Sequence, residues 1–217
     1  VTESHSPRFS LVVAAYDVSR YLSDFIASVE QQAEVDRGDV EVVIVDDGST
    51  DDTLQVLRRW QERRPDLVRV LAQENAGQGA ARNAGMEVAR GEWVGFPDPD
   101  DVLEPRYLKR VARMIDKFPD IDMVATRRVL LDDATGEVSD THPLRHFGRD
   151  RVRSLRDVPS HFHGSAPAAF YRLDRLRESR LRFDHRIRPN FEDGHFSARY
   201  LLQRADPQVA FVGSARY

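Results

Sequence analysis

Apolar residues in the first half of the chain follow two alternating patterns. Short continuous runs rich in β-branched residues predict buried strands, and longer stretches with apolar residues three and four positions apart predict helices. The predicted strands are 9–15, 40–45, 68–72 and 92–96. The predicted helices have their apolar faces within 21–29, 54–60, 80–89 and 107–118, with Ser19 as N-cap of the first. This alternation predicts an α/β fold with a mostly parallel sheet flanked by helices.

The second half of the chain is less regular. The strands predicted there are 123–131, 166–171 and 209–212, and residues 132–136 predict a hairpin turn. A helix is predicted from about Glu192, with apolar residues at 196, 200 and 201 on one face. The stretch 141–156 is polar and rich in histidine and arginine, and predicts loops.

Length and composition narrow the class of protein. A chain of 217 residues suits a single domain spanning residues 1–217. The net charge of −4 comes without a basic block, so a nucleic acid is not expected as a partner. The absence of cysteine excludes thiolate catalysis and Cys-based zinc sites, and no apolar run approaches the ~20 residues of a membrane helix. The chain begins with valine and stops abruptly at Tyr217, so we expect a fragment truncated at its C-terminus.

Two acidic clusters directly follow predicted strands. Asp46 and Asp47 follow the second strand, and three carboxylates within 98–101 follow the fourth. In open α/β sheets, ligands bind outside the carboxyl ends of the strands, so both clusters should line one crevice. Like charges packed this densely are costly unless a cation neutralises them, and carboxylate oxygens suit Mg²⁺ or Mn²⁺. For residues 98–101, the alternative is an acidic turn in which Asp and Pro serve only their turn propensity. Asp46 is expected to have a structural role, holding the turn before Ser49.

Four segments of the chain, in order, resemble successive blocks of family 2 glycosyltransferases. They are FSLVVAAY at 9–16, VIVDDGSTD at 43–51, NAGQGAARNAG at 75–85 and GEWVGFPDPDD at 91–101. The resemblance covers roughly residues 8 to 110 and continues more weakly to about residue 205. It implies a GT-A fold, a Rossmann-like single domain with a nucleotide-binding part at about 8–103 and an acceptor-side part at about 104–217.

The resemblance also implies a donor site. The backbone around Ala14 and Tyr16 would line the nucleobase pocket, and Asp47 would accept a hydrogen bond from the base. Arg82 would lie near the base or the diphosphate, the alternative being a solvated helix residue. Asp98 would approach the ribose or a metal-bound water.

The acidic segment would also hold the cation that the resemblance implies. Asp100 would be the principal protein ligand to Mn²⁺ or Mg²⁺, and Asp101 a third, accessory member of the cluster. Two prolines, Pro97 and Pro99, depart from the family pattern, which commonly has an aliphatic and a small polar residue there. Both fix backbone angles and remove N–H donors, which affects the placement of the carboxylates.

A third acidic pair, Glu192 and Asp193, stands where the family has its catalytic base. The resemblance assigns that role to Asp193, with Glu192 and His195 as accessory residues. An inverting transfer needs a carboxylate on the acceptor side, and an Asp with an ordinary pKa near 3.9 is ionised at neutral pH. The alternative is an acidic pair that favours a helix N-terminus. The transferase interpretation requires residues 98–100 and 193 to face one cleft.

The expected protein is a metal-dependent inverting hexosyl- or N-acetylhexosaminyltransferase using a nucleotide-diphosphate sugar, with UDP-sugar favoured. The similarity to enzymes of cell-surface polysaccharide and teichoic-acid synthesis implies a glycan or polyol-phosphate acceptor. It also implies a cytoplasmic location, which includes the inner face of the cell membrane. Membrane contact is expected only through parts outside this chain. The formation of a homo-oligomer through contacts of a missing C-terminal region is left open.

Two other functions compete with the transferase interpretation. A haloacid-dehalogenase-type phosphohydrolase would use Asp98 as nucleophile and Asp100 as acid/base. It also needs a lysine well downstream, whereas the chain has only Lys109 and Lys117, both on the next predicted helix. A non-catalytic carbohydrate-binding module would have no need for all of the carboxylates at 47, 98, 100 and 193.

Overall fold

The structure is a computed structural model that describes residues 6–132, 134–140, 147–187 and 191–217. The strands are β1 Phe9–Ala15, β2 Val40–Asp46, β3 Val68–Ala72, β4 Trp93–Gly95, β5 Met123–Arg127, β6 Leu130–Leu131, β7 Val138–Ser139, β8 Arg151–Ser154, β9 Ala169–Arg172 and β10 Gln208–Arg216. The helices are α1 Leu22–Glu30, α2 Ala33–Asp36, α3 Thr53–Arg63, α4 Gln78–Val88, α5 Tyr107–Lys117, α6 Leu173–Glu178 and α7 Glu192–Leu201.

The described strands form an eight-stranded sheet and a two-stranded hairpin. The order in the large sheet is β3-β2-β1-β4-β9-β5-β10-β8, and β6 pairs with β7. Strands β1 to β4 are mutually parallel, β9 runs antiparallel to both β4 and β5, and β10 is parallel to β5. The predicted α/β fold with a mostly parallel central sheet is therefore confirmed.

Helices cover both faces of the sheet, because alternate residues of the strands point to opposite sides. In β1, Leu11 and Val13 belong to a core shared with α1, α3 and α5. Val12 belongs to a second core, shared with α4, α6 and α7. This arrangement places α4 and α7 in the same layer, so residues on these two helices can meet even though they are distant in sequence.

The strand directions bring several loops to one edge of the sheet. Strands β1, β2, β4, β5 and β10 all end there. The segments that follow β1, β2 and β4 contain Tyr16, Asp47 and Asp98, and Tyr217 follows β10 directly. The fold therefore gathers the predicted donor and metal residues at the carboxyl edge, as expected for an open α/β sheet.

Several predicted boundaries were wrong. Ser19 is not an N-cap, because α1 begins at Leu22 and the Ser19 N–H donates to Asp51 Oδ2 at 3.1 Å. The predicted strand 123–131 is split into β5 and β6, and β10 is longer than 209–212. Within 141–156, residues 151–154 form the strand β8, and 141–146 lie outside the described residues. The hairpin turn predicted at 132–136 does connect β6 to β7, apart from residue 133, which is not described.

Close packing of α4 against β1 leads to a stability prediction. A Cβ on Gly85 would stand 2.4 Å from Cγ1 of Val12. Overpacking of this kind costs about 1–3 kcal/mol, whereas alanine gains up to about 1 kcal/mol over glycine in a helix. Because a separation of 2.4 Å is a severe overlap, the cost should lie in the upper part of its range, and we expect Gly85→Ala to lower the free energy of unfolding in urea by about 1–2 kcal/mol. Glu87→Ala, at an exposed position of the same helix, is the control and should change it by less than about 0.5 kcal/mol. Unchanged stability of Gly85→Ala would contradict this account of the packing.

Candidate active site

A cleft opens at the carboxyl edge of the sheet, between the ends of β1, β2 and β4. Its lining consists of the last residues of β1, residues that follow the three strands, and one residue of α4: Ala14, Ala15, Tyr16, Val18, Asp47, Gln78, Asp98, Pro99 and Asp100. Tyr16 stands at the rim with about half of its side chain exposed. Four of the predicted donor and metal residues, at 14, 16, 47 and 98, thus share one cleft with the predicted ligand Asp100.

Asp47 is buried at the floor of this cleft and organises the segment after β3. One carboxylate oxygen accepts hydrogen bonds from Gln73 Nε2 at 2.7 Å and from the Ala76 N–H at 2.9 Å. The other accepts one from the Gly77 N–H at 2.8 Å. Gly77 has a positive φ of 92°, which suits glycine, and the next residue begins α4. The predicted bond from Asp47 to a nucleobase stays a prediction.

Asp46 has the structural role that the sequence predicted. Its Oδ2 accepts a hydrogen bond from the Ser49 N–H at 3.3 Å, which closes the turn after β2. Asp17 completes this rim by accepting the Thr50 N–H at 2.7 Å, while its own N–H donates to Ser49 Oγ at 3.1 Å. These reciprocal bonds tie the loop that contains Tyr16 to the loop after Asp47.

The acidic loop after β4 brings three carboxylates together. Ligand oxygens of Asp98, Asp100 and Asp101 lie within 4.8 Å of one another. A set of hard oxygen donors this close fits a divalent cation such as Mg²⁺ or Mn²⁺. The two prolines do not prevent this approach. The prediction of an acidic cluster with ligand spacing is therefore confirmed, and the ion itself stays a proposal.

The charge state of Asp98 follows from its surroundings. Burial, with a smaller contribution from neighbouring carboxylates, raises the pKa of Asp98 to about 6 against the opposing effect of the Arg82 guanidinium. Burial likewise raises the pKa of Asp101, although the Tyr217 hydroxyl counteracts the shift. Below about pH 6, the neutral acid becomes the main form of Asp98.

Arg82 joins the two halves of the site. It projects from α4 with 1% of its side chain exposed. Its Nη2 lies 2.8 Å from Asp98 Oδ1, and its Nη1 lies 2.7 Å from Asp193 Oδ1. Phe183 packs beneath the guanidinium, 5.3 Å from its ring centroid. The alternative of a solvated Arg82 is wrong, and the acidic loop and Asp193 do face one site.

Asp193 lies in the first turn of α7. Besides Arg82, its carboxylate accepts a long hydrogen bond of 3.4 Å from the Ala166 N–H. About a quarter of the side chain remains exposed, so an outside group can reach it. On the same turns of α7, Glu192 Oε2 and His195 Nδ1 are buried with no hydrogen-bond partner among the described residues. A carboxylate that is held by the Arg82 guanidinium, yet open on one side, can accept a proton from a bound hydroxyl.

The comparison with protein families assigns the chain. The model of the family described as glycosyl transferase family 2 matches residues 10–179, more than half of the chain. This chain belongs to glycosyltransferase family 2. Membership sets aside the haloacid-dehalogenase alternative, and the two lysines of the chain, Lys109 and Lys117, both lie on α5 instead of well downstream.

Known family 2 proteins resemble the chain over most of its length. The minor teichoic acid biosynthesis protein GgaA of Bacillus subtilis is 31% identical over 214 residues, which is 96% of this chain and 46% of GgaA. The crystal structure of Staphylococcus aureus TarS 1–349 superposes with a TM-score of 0.81 at 26% identity, covering 97% of this chain and 59% of TarS 1–349. A complex of the same TarS fragment with UDP-GlcNAc gives a TM-score of 0.78. The GT-A fold is thereby confirmed, and the chain spans about half the length of GgaA.

Two residues of this family 2 site were not predicted from the sequence. Gln78 donates from Nε2 to Asp98 Oδ1 at 3.0 Å. It lies between Gly77 and Gly79 in the third family-like segment, where an uncharged side chain gives no signal of a functional role. Tyr217 accepts a hydrogen bond from the Asp98 N–H at 2.7 Å, across 119 residues of sequence. No local pattern around the last residue of the chain indicates such a contact.

Proposed function

We propose that this family 2 chain is the catalytic domain of an inverting glycosyltransferase. It moves a hexosyl or N-acetylhexosaminyl group from a nucleotide-diphosphate donor, UDP-sugar, to a hydroxyl of a glycan or polyol phosphate. The observation that carries the proposal is the Arg82 bridge, which places the acidic loop and Asp193 on opposite sides of one guanidinium. A transferase needs such a pairing of a site for an anionic leaving group with a separate carboxylate for proton removal.

The donor occupies the cleft after β1, β2 and β4. Tyr16 offers an exposed aromatic face for the nucleobase, and the backbone at Ala14 forms the cleft wall. Asp47 fixes the neighbouring segment and lies within the same lining. The likeness to a TarS structure in complex with UDP-GlcNAc supports uridine diphosphate as the nucleotide.

Asp100 and Asp98 hold the cation, Mn²⁺ or Mg²⁺. Asp100 is exposed to the cleft and is the principal ligand, while Asp98, bonded to Arg82 and Gln78, contributes directly or through water. When bound, the cation supplies positive charge that stabilises the departing diphosphate. Asp101 is the accessory member of the cluster.

Asp193 is the catalytic base. It takes the proton of the acceptor hydroxyl as that oxygen forms its bond to the anomeric carbon of the sugar and the bond to the diphosphate oxygen breaks. Attack from the side opposite the leaving group inverts the configuration of that carbon. Arg82 orients the Asp193 carboxylate, since Arg82 Nη1 lies 2.7 Å from Asp193 Oδ1. Glu192 and His195 stand beside it as accessory residues.

The acceptor class follows from the relatives. GgaA is described as a minor teichoic acid biosynthesis protein, and TarS as a poly(ribitol-phosphate) N-acetylglucosaminyltransferase. We therefore propose a role in teichoic-acid or cell-surface polysaccharide synthesis at the cytoplasmic side of the membrane. No described helix is both long and apolar enough to cross a bilayer. Within the single domain, residues 8–103 bind the nucleotide, and 104–217 form the acceptor side.

Isothermal titration with UDP-GlcNAc tests the proposal against a carbohydrate-binding module. A transferase of this kind should bind the nucleotide sugar at least about tenfold more tightly with Mn²⁺ than with EDTA. A module that binds carbohydrate without catalysis would show no metal-linked nucleotide affinity. Equal affinities in Mn²⁺ and EDTA would therefore overturn the proposed metal-dependent transferase.

The pKa of Asp98 gives a pH prediction for the same titration. Because a protonated carboxyl is a poor cation ligand, metal-linked affinity should fall as the pH drops through about 6, by about tenfold between pH 7 and pH 5. UDP-GlcNAc is used as the titrant instead of UDP, because the terminal phosphate of UDP itself titrates near pH 6. In Asp98→Asn, affinity should be weaker and most of the pH dependence lost. Thermal unfolding at each pH checks that the protein stays folded, and equal affinity at both pH values would contradict the assignment.

A further inference from the structure

Tyr217 lies directly beneath the acidic loop. Its side chain is almost fully buried, and the ring packs beside Tyr107 with 6.1 Å between the centroids. Its backbone is held on both sides, since the Tyr217 N–H donates to Arg127 O and the Val129 N–H donates to Tyr217 O, each at 2.9 Å. The phenol oxygen therefore has a well-defined position relative to the sheet.

The hydroxyl of Tyr217 holds the backbone of the acidic loop. It accepts a hydrogen bond from the Asp98 N–H at 2.7 Å. Burial raises the pKa of the Asp101 carboxyl group, and the phenol lowers it. One phenol group thus fixes the backbone at the beginning of the loop and lies in the surroundings of the carboxyl group at its end.

The loop has few other bonds that would fix its shape. Among the described residues, the Asp101 N–H donates to Asp98 O at 3.2 Å, and the Asp98 side chain is bonded to Arg82 and Gln78. Pro97 and Pro99 provide no N–H, which leaves the Asp98 N–H as one of the few donors available to anchor this segment. A buried N–H without a partner would be costly, so the contact with Tyr217 stabilises one arrangement of the loop.

The geometry points to Tyr217 as a positioning residue that preorganises the acidic loop for its cation. By accepting the Asp98 N–H, the phenol fixes the beginning of the loop, from which the Asp98 and Asp100 side chains line the cleft. This inference rests on the proposed function, because it assumes that the loop binds a divalent cation together with the nucleotide.

Tyr217→Phe tests the inference while keeping the buried ring. We expect Mn²⁺ to bind about tenfold more weakly in the presence of UDP, since the hydroxyl that accepts the Asp98 N–H is lost and this N–H is left without that partner. UDP binding in EDTA should change less than about twofold. Mn²⁺ affinity is measured by titration calorimetry and by the loss of the free-ion signal in electron paramagnetic resonance.

Tyr107→Phe is the matched control. Tyr107 is also buried and adjacent to Tyr217, but its hydroxyl bonds to Thr126 Oγ1 at 3.0 Å and makes no described hydrogen bond to the acidic loop. Thermal unfolding of both variants measures the cost of losing a buried hydroxyl. A purely structural role for Tyr217 would lower the melting temperature in both variants without a selective effect on Mn²⁺.

The outcomes separate the two proposals. If the wild-type protein binds Mn²⁺ with UDP and Tyr217→Phe binds it equally well, the positioning role is wrong and the proposed function stands. Equal weakening in Tyr107→Phe also overturns the positioning role. Absence of Mn²⁺ binding in the wild type overturns the metal-dependent function itself.

Discussion

Replacing Asp193 with asparagine is expected to lower turnover by about 10²–10⁴-fold, while the affinity for UDP-GlcNAc changes only a few-fold. Asparagine has nearly the same shape and can keep an oxygen facing Arg82, which lies 2.7 Å from the native carboxylate. It cannot accept the acceptor proton at neutral pH. Release of UDP in the presence of poly(ribitol phosphate) measures turnover, and calorimetry measures donor affinity.

The control for this variant is Asp174→Asn. Asp174 occupies the first turn of α6, as Asp193 occupies that of α7, but it is more than half exposed. The control should retain turnover within about twofold. It would show that a carboxylate in the first turn of a helix does not by itself contribute to turnover. If Asp193→Asn turns over as fast as the wild type, Asp193 is not the base. If donor binding falls in parallel with turnover, the residue acts on the donor instead.

The second large effect is expected for Asp100→Ala. This change should abolish the dependence of UDP-GlcNAc affinity on Mn²⁺, so that affinities measured with the metal and with EDTA become equal. The physical reason is the loss of the exposed carboxylate that completes the ligand set after β4. Because the Asp100 side chain makes no described hydrogen bond and is exposed, the fold should be unaffected.

Asp52→Ala provides a control for the metal-site variant. Asp52 is an exposed aspartate at the beginning of α3, and its side chain makes no capping bond. It should keep the full Mn²⁺ effect, which would show that removing one exposed carboxylate is not sufficient to abolish that effect. A persistent Mn²⁺ effect in Asp100→Ala would remove Asp100 from the metal site and leave Asp98 and Asp101 as the candidates.

The sequence predicted the parts of the fold and site that depend on local pattern. Strands β1 to β4 are apolar runs, and the carboxylates that follow β2 and β4 reach the cleft because parallel strands end at one edge. The strand β8 was not predicted, because its residues 151–154 do not form an apolar run. Among the described strands it pairs only with β10, at the edge of the sheet, and its alternating arginines Arg151 and Arg153 tolerate partial exposure.

Contacts between distant segments could not be predicted in this way. Arg82 is a charged residue on a helix, and a local pattern cannot show that its partners lie 16 and 111 residues away. Its burial follows from the packing of α4 and α7 in one layer, and the two carboxylates offset the cost of burying the charge. Tyr217 is a similar case, because its contact with the acidic loop depends on β10 lying beyond β9 and β5 in the sheet.

The central claim is that one cleft holds a cation with the donor diphosphate on one side and Asp193 on the other. Crystals grown with UDP-GlcNAc and Mn²⁺, with data collected at the manganese absorption edge, test it directly. We expect an anomalous peak within about 2.5 Å of an Asp100 carboxylate oxygen, and the Asp193 carboxylate on the face of the sugar opposite the diphosphate. A manganese peak away from residues 98–101, or a sugar whose anomeric carbon lies out of reach of Asp193, would contradict the account.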